Sequence, residues 1–395
     1  MMRWLAILIA ALSVTAVATA AESESPRSGR PLVLAHYMPW FVAKPHSATW
    51  GWHWTMDHFD PDKIVNGQRK IASHLYPLIG PYDSGDRDVI EYHLLTMKLA
   101  GIDGVIVDWY GRMDHFDYAL LHRNTLKLVE LVERFGMKLA VCFEDQVVGK
   151  LVAGGKIQAG QRVGYVAGEI KWLADHWFRR GSYVRLDGQP VLLSFGQTGL
   201  TDAEWTQVWQ RLEAPVSYFS EHRRRSHAVG AFDWPIPSQG LSAMDRFEMA
   251  SRGWPHAIPV VFPRFHDIYQ QAGVSKSHGR IADRDGQTLG RTLARALRSG
   301  HEIVQLATWN DWGEGTAIEP SREYGYRDLE RLQQVRRQQT ILTAQATRTD
   351  LRLPLELLRR RRQDTSRAQR KALDRVAGWL AGGQLQAARD SLAVK

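Results

Sequence analysis

The chain has 395 residues, of which 44% are hydrophobic and 24% charged, a globular composition that excludes disorder as the main state. Its single cysteine, Cys142, excludes an internal disulfide and a cysteine-based zinc site. A formal net charge of +9 points at nucleic acid or a membrane surface, and 15 tryptophans point at a stacking ligand such as a sugar or a base. The charge is unevenly placed, however. Residues 351–395 hold eleven Lys/Arg against four Asp/Glu, so residues 21–350 are nearly neutral and nucleic acid is not the expected partner.

In chain order, Met1–Ala20 carries Arg3, an apolar run from Trp4 and an Ala18-Thr19-Ala20 end. A basic start, an apolar middle and small residues at the end make a secretory signal peptide. The expectation is export, to a periplasm or beyond, after cleavage near Ala20, with no membrane span left. Residues 21–30 are a polar leader.

From there, short apolar runs alternate with amphipathic stretches. The runs are Leu32–Tyr37, Gly104–Tyr110, Lys138–Phe143, Pro190–Phe195, Val216–Ser220, Ala231–Trp234, Ile258–Phe262 and Ile303–Thr308. Helices are expected over about 86–100, 118–135, 165–178, 202–212, 241–250, 288–298 and 325–343. Continuous apolar runs mark strands buried on both faces, as in a parallel sheet. Eight of them predict a (β/α)8 TIM barrel over residues 31–350, with an open doubly wound sheet as the alternative. The barrel is favoured because the runs end on polar or aromatic residues, among them His36-Tyr37, Asp108-Trp109, Glu144-Asp145 and Asp233-Trp234. A barrel brings all such ends to one face; an open sheet gathers only those near its switch point. Residues 351–395 read as a basic helical extension with helices over 366–380 and 384–394. Its Arg359–Arg362 run is expected to be a solvated face.

The densest chemical signal follows the eighth run: Thr308-Trp309-Asn310-Asp311-Trp312-Gly313-Glu314-Gly315-Thr316-Ala317-Ile318-Glu319-Pro320. Two carboxylates, Asp311 and Glu314, lie three residues apart on a glycine-containing loop. Glycosidic cleavage needs one carboxyl to protonate the departing oxygen and a second to act as base or nucleophile. Their pKa values must be pushed apart by unlike surroundings. The competing reading is a turn in which one of them caps a helix. A second signal is Trp50-Gly51-Trp52-His53-Trp54, after His36-Tyr37-Met38-Pro39-Trp40. Such aromatic density suggests a sugar platform. A third is the rigid turn of residues 76–86, with Ser84 or Asp86 as a helix cap. No GxGxxG at a strand end, P-loop or HExxH is present. The Arg223-Arg224-Arg225 cluster would bind an anionic group if it faced the mouth.

These segments carry a resemblance. HYMPW (36–40), WGWHW (50–54), YPLIGPYDSGD (76–86), GVIVDWYG (104–111), GQPVLLSFG (188–196) and TWNDWGEGTAIEP (308–320) resemble the glycoside hydrolase family 99 and family 71 group. The resemblance implies a (β/α)8 barrel and metal-independent hydrolysis of internal α-linkages in a glycan. In family 99 the loop after the eighth strand holds two glutamates. The first takes a proton from the sugar 2-hydroxyl; the second is general acid and then base. Here those positions are Asp311 and Glu314. The shorter aspartate resembles family 71, whose members act on α-1,3-glucan with inversion.

Asp311 is thus the expected base and Glu314 the expected general acid. His36, Tyr37, Trp54, Tyr82, Asp108, Trp109, Glu144, Asp267, Trp309 and Asn310 are the expected substrate contacts. No metal or cofactor is expected. A non-hydrolytic carbohydrate-binding or polysaccharide-assembly protein on the same fold is the alternative.

Overall fold

The computed structural model describes residues 30–213, 215–340 and 345–393. The expected signal peptide and nearly all of the leader lie outside the described residues. Strand β1 (Leu32–Tyr37) pairs in parallel with β2 (Gly104–Trp109). The sheet continues through β3 (Lys138–Glu144), β4 (Gln189–Phe195), β5 (Ser217–Glu221) and β6 (Gly230–Phe232), each parallel to the last. β7 comes in two pieces, His256–Ile258 and Val260–Val261, on either side of Pro259. The first piece pairs with β6 and the second with β8 (Ile303–Leu306), which pairs back to β1. Proline has no N–H for a ladder, and here the strand changes partner. Asp233 N donates to Ile258 O at 3.0 Å and Gln305 N donates to Pro259 O at 3.1 Å, so the ring closes across the break. Every expected strand is present, and the closed ring decides for the barrel over the open sheet.

Around it lie α1 (Arg87–Ala100), α2 (Tyr118–Arg134), α3 (Arg162–His176), α4 (Asp202–Gln210), α5 (Leu241–Ser251), α6 (Gln287–Arg298) and α7 (Arg327–Arg336). The β5–β6 connection, residues 222–229, carries no helix. Asp86 caps α1 by accepting from Asp88 N at 2.9 Å. Part of the helix expected over 325–343, residues 341–343, lies outside the described residues. Sequence patterning missed the short helix Val147–Ala153.

Period-two alternation divides each strand between two apolar regions. Val33, Ala35 and Tyr37 pack among the helices, as do Val105, Val107 and Trp109 of β2 and Leu139, Val141 and Phe143 of β3. Leu34, Ile106, Ala140 and Cys142 fill the barrel interior. His36, Asp108 and Glu144 share the parity of the interior set and cap it at the C-terminal mouth.

The C-terminal extension forms three helices, α8 (Leu353–Gln363), α9 (Arg367–Gly382) and α10 (Leu385–Ala393). The first was not anticipated, and residue 394 lies outside the described residues. They dock on α1. Arg361, expected on a solvated face, has a side chain only 3% exposed. It donates to both carboxyl oxygens of Glu91 at 2.6 and 3.0 Å and to Asp374 at 2.9 Å. Arg370 reaches Asp88, and Arg389 reaches Asp350. Much of the tail charge therefore ties the extension to the body and to itself. Among the described residues no helix is long and apolar enough to cross a membrane.

Removing one partner of a buried pair leaves the other charge desolvated, at about 3–5 kcal/mol. Arg361→Ala is expected to lose stability of that order in urea titration, and an Arg361→Met/Glu91→Leu double variant to recover most of it. An unchanged midpoint for Arg361→Ala would mean that this pair does not hold the extension.

Candidate active site

The loops at the C-terminal mouth enclose a cleft of about 670 Å³, lined by Trp40, Trp52, His53, Tyr110, Phe116, Tyr118, Lys150, Tyr269, Asp311 and Gly313 among others. A hollow of similar size, about 680 Å³, lies on the barrel flank among Arg291, Arg295, Arg298 and Arg331. It holds no carboxylate, so the mouth cleft is where acid–base chemistry can occur.

Asp311 reaches the cleft on the loop after β8. Its backbone N–H donates to Thr308 Oγ1 at 2.8 Å, and its Oδ1 accepts from Glu314 N at 2.9 Å. The loop is clamped from the β7 side, where His266 N donates to Glu314 O and Ile268 N to Gly313 O, both at 2.9 Å. Gly315 makes that approach feasible. It sits at φ 67°, and a Cβ there would stand 2.6 Å from His266 O.

Carboxyl groups converge at this mouth in unlike surroundings. Burial raises the Asp311 carboxyl to about 6, while N–H donation from Glu314 and Gly313 holds it lower than its neighbours. Burial, then the charges of Asp311, Asp267, Glu221 and Asp108, push Glu314 well above the usual carboxylate range. Its Oε2 is buried with no hydrogen-bond partner among the described residues. Asp108 is raised to about 8 by burial and then by the charge of Asp311. Glu144 is raised by burial and then by Asp108, and its Oε1 is also unpartnered among the described residues. Of these four carboxyls Asp311 is thus the one best able to ionise at neutral pH, and Glu314 one able to keep a proton.

Four expected aromatic contacts do not face the cleft. Trp109 and Tyr37 point outward because each is one residue out of step with an inward neighbour. Trp109 packs against Trp172 and Trp177, and the Tyr37 hydroxyl lies 3.0 Å from His93 Nδ1. Trp54 is fully buried beneath the loops, its indole N–H on Tyr82 O at 2.8 Å and its ring on Phe41. Trp309 is fully buried against His93. His36 faces inward but is 1% exposed, 2.8 Å from Gln305 Oε1 and edge-on to Trp234. Burial lowers its pKa to about 4, so it is a neutral floor to the site.

Three expected polar contacts serve the scaffold. Asp267 accepts from Ser277 Oγ and His278 N and so folds its own loop. Asn310 accepts from Met38 N and donates to Met38 O, joining the eighth loop to the first. Tyr82 is buried among Asn310, Trp312 and Glu319. The arginine cluster is likewise taken up: Arg223 pairs with Asp202 at 3.0 Å, and Arg225 donates to Leu200 O.

Of the Trp-rich loop, Trp52 is 40% exposed at the cleft, and Trp40 stacks on His53 at 4.3 Å. Phe116, 74% exposed, lines the same cleft. Tyr110 comes from the second loop, Tyr118 from the start of α2 and Tyr269 from the seventh loop. Tyr110 stood in plain view at a strand end; Tyr269 had no motif to mark it.

The chain is 34% identical over 322 residues to a glycoprotein endo-α-1,2-mannosidase-like protein of Danio rerio, covering 74% of this chain and 68% of that one. A protein of the same description from Mus musculus is 30% identical over 86 residues, 19% of each chain. No family model matches the chain. The fold is similar to the GH99 endo-α-mannosidase from Bacteroides thetaiotaomicron at TM-score 0.54 and 18% identity, covering 82% of this chain and 98% of that one. Its complex with bis-tris-propane matches at TM-score 0.55 and 19% identity, covering 73% and 87%.

The buried carboxyls carry a stability consequence. Between the ordinary aspartate value near 4 and about 8, the folded chain holds a proton on Asp108 that the unfolded chain has lost. Stability falls as pH rises through that window. Asp108→Asn removes the ionisation, so its gain in Tm over the parent should be larger near pH 8 than near pH 4. Equal gains at both would show that Asp108 titrates normally.

Proposed function

Because the chain belongs to glycoside hydrolase family 99 and is a glycoside hydrolase, we propose that it cleaves α-mannosidic linkages within a glycan, with Asp311 as base and Glu314 as general acid. The relatives' descriptions support the sugar and the internal mode of attack. The observation that carries the roles is the unlike surroundings of two carboxyls on one clamped loop. Backbone N–H groups of residues 313 and 314 stabilise the Asp311 anion, while burial among carboxylates keeps Glu314 protonated.

In this reading Glu314 gives its proton to the departing glycosidic oxygen as the C–O bond breaks. Asp311 takes a proton from the nucleophile. If that nucleophile is the sugar 2-hydroxyl, a 1,2-anhydro sugar forms; Glu314, now ionised, then draws a proton from the water that attacks C1, Asp311 returns its proton to O2 as the C1–O2 bond breaks, and the anomer is retained. If the nucleophile is water, the anomer is inverted. Trp40, Trp52 and Phe116 offer flat faces for sugar rings. Export through residues 1–20 is part of the proposal, supported by their basic start, apolar run and Ala-x-Ala end. N-terminal sequencing of the mature chain tests it.

The decisive experiment is a panel of α-mannans, α-glucans and envelope polysaccharides assayed for new reducing ends. Glu314→Gln is expected to lower the rate by about 10²–10⁴-fold, the span of general acid catalysis, with glycan binding retained. No product from the intact protein would favour the non-hydrolytic binding role. Activity should rise with pH through about 6 as Asp311 ionises and fall again as Glu314 loses its proton. NMR of the first product distinguishes retention from inversion.

A further inference from the structure

We propose that Tyr82 is a positioning residue for catalysis, holding the two neighbours of Asp311 through a buried relay that links its hydroxyl to Asn310, Trp312 and Glu319. The inference rests on the reading of Asp311 as the base.

A tyrosine hydroxyl has one proton to donate and two lone pairs to accept with. At Tyr82 all three are in use. The hydroxyl donates to Glu319 Oε2 at 2.7 Å and accepts from Asn310 Nδ2 at 3.1 Å and Trp312 Nε1 at 3.2 Å. Beyond it, Glu319 Oε1 lies 3.1 Å from His93 Nε2 without hydrogen-bond geometry, and His93 Nδ1 lies 3.0 Å from the Tyr37 hydroxyl. Every one of these side chains is buried. A saturated hydroxyl in a site closed to water has one position, and it passes that position to its partners.

Those partners flank Asp311 on both sides. Asn310 and Trp312 turn into the relay, while Asp311 lines the cleft. The two anchors differ in strength. Asn310 keeps its bonds to both Met38 backbone groups without Tyr82, so the loop stays attached. The indole N–H of Trp312 has Tyr82 as its one hydrogen-bond partner among the described residues. Loss of the hydroxyl therefore shifts the Asp311 side of the loop instead of releasing it. Displacements of about 1 Å in a reacting group cost about 100-fold in rate. The relay also gives Glu319, a buried ionisable group with no place in the proposed reaction, a task.

The test compares Tyr82→Phe, Glu319→Gln, Trp312→Phe and Asp311→Asn in the full chain. Cleavage of an α-1,2-linked mannooligosaccharide is one readout. The Asp311 carboxyl NMR signal, assigned by its loss in Asp311→Asn, is the other and needs no substrate. Tyr82→Phe is expected to lose about 10–100-fold in kcat with little change in KM, and to move the Asp311 titration midpoint. Trp312→Phe, which removes only the anchored N–H and some bulk, should move that midpoint the same way. Glu319→Gln still accepts from Tyr82 and should stay close to the parent. A folded Tyr82→Phe with parental kcat and an unmoved midpoint overturns the relay, and so does an unmoved midpoint in Trp312→Phe if Tyr82→Phe fails to fold. An Asp311→Asn variant that remains active would instead overturn the assignment of the base.

Discussion

A β-strand turns successive side chains to opposite faces, and closing the sheet makes one face the inside of a barrel. Most of the site follows from that constraint. Asp108 and Glu144 face the mouth because they share the parity of Ile106, Ala140 and Cys142 in the interior. Tyr37 and Trp109, each one residue along from an inward side chain, join Ala35, Val107 and Phe143 in the layer between barrel and helices.

The inward carboxyls create an electrostatic conflict that the loops resolve. Several acids meet in a poorly hydrated mouth, where burial first and then neighbouring charge raise Asp108, Glu144 and Glu314. Backbone N–H donation holds the Asp311 carboxyl below those three. The clamp between the 308–320 loop and the 265–268 segment is therefore electrostatic as well as mechanical. Aromatic side chains support it from below. Trp54, Trp309 and Trp312 are fully buried and fill the space under the loop, leaving Trp40 and Trp52 to face the cleft. Part of the high tryptophan content thus serves rigidity rather than recognition.

The basic extension acts on the other side of the same helix. α1 presents Asp88 and Glu91 to Arg370 and Arg361, and it also carries His93 into the buried layer. Several arginines of the extension are paired with acids of the chain, while the net charge of +9 remains. Its remaining exposed arginines show why net charge alone speaks to solubility and association, not to fold.

Periodicity and local spacing determined much of this protein: eight strands, seven of the helices that follow or separate them, a cap at Ser84 or Asp86, and a carboxylate pair on the loop after β8. Those features depend on residues near each other in the chain. Strand parity was also legible, and applying it would have set Trp109 and Tyr37 aside. Tertiary structure alone decided the rest. It closed the ring at Pro259, turned Arg361 inward onto Glu91, brought Tyr269 to the cleft and placed Tyr82, His93 and Glu319 in one buried layer. Each of these joins residues far apart in sequence, and burial is a property of the packed whole. A tryptophan or a carboxyl has the same side chain in the core and in the cleft, so only its neighbours in space determine whether it stacks on a sugar, holds a proton or keeps another residue in place.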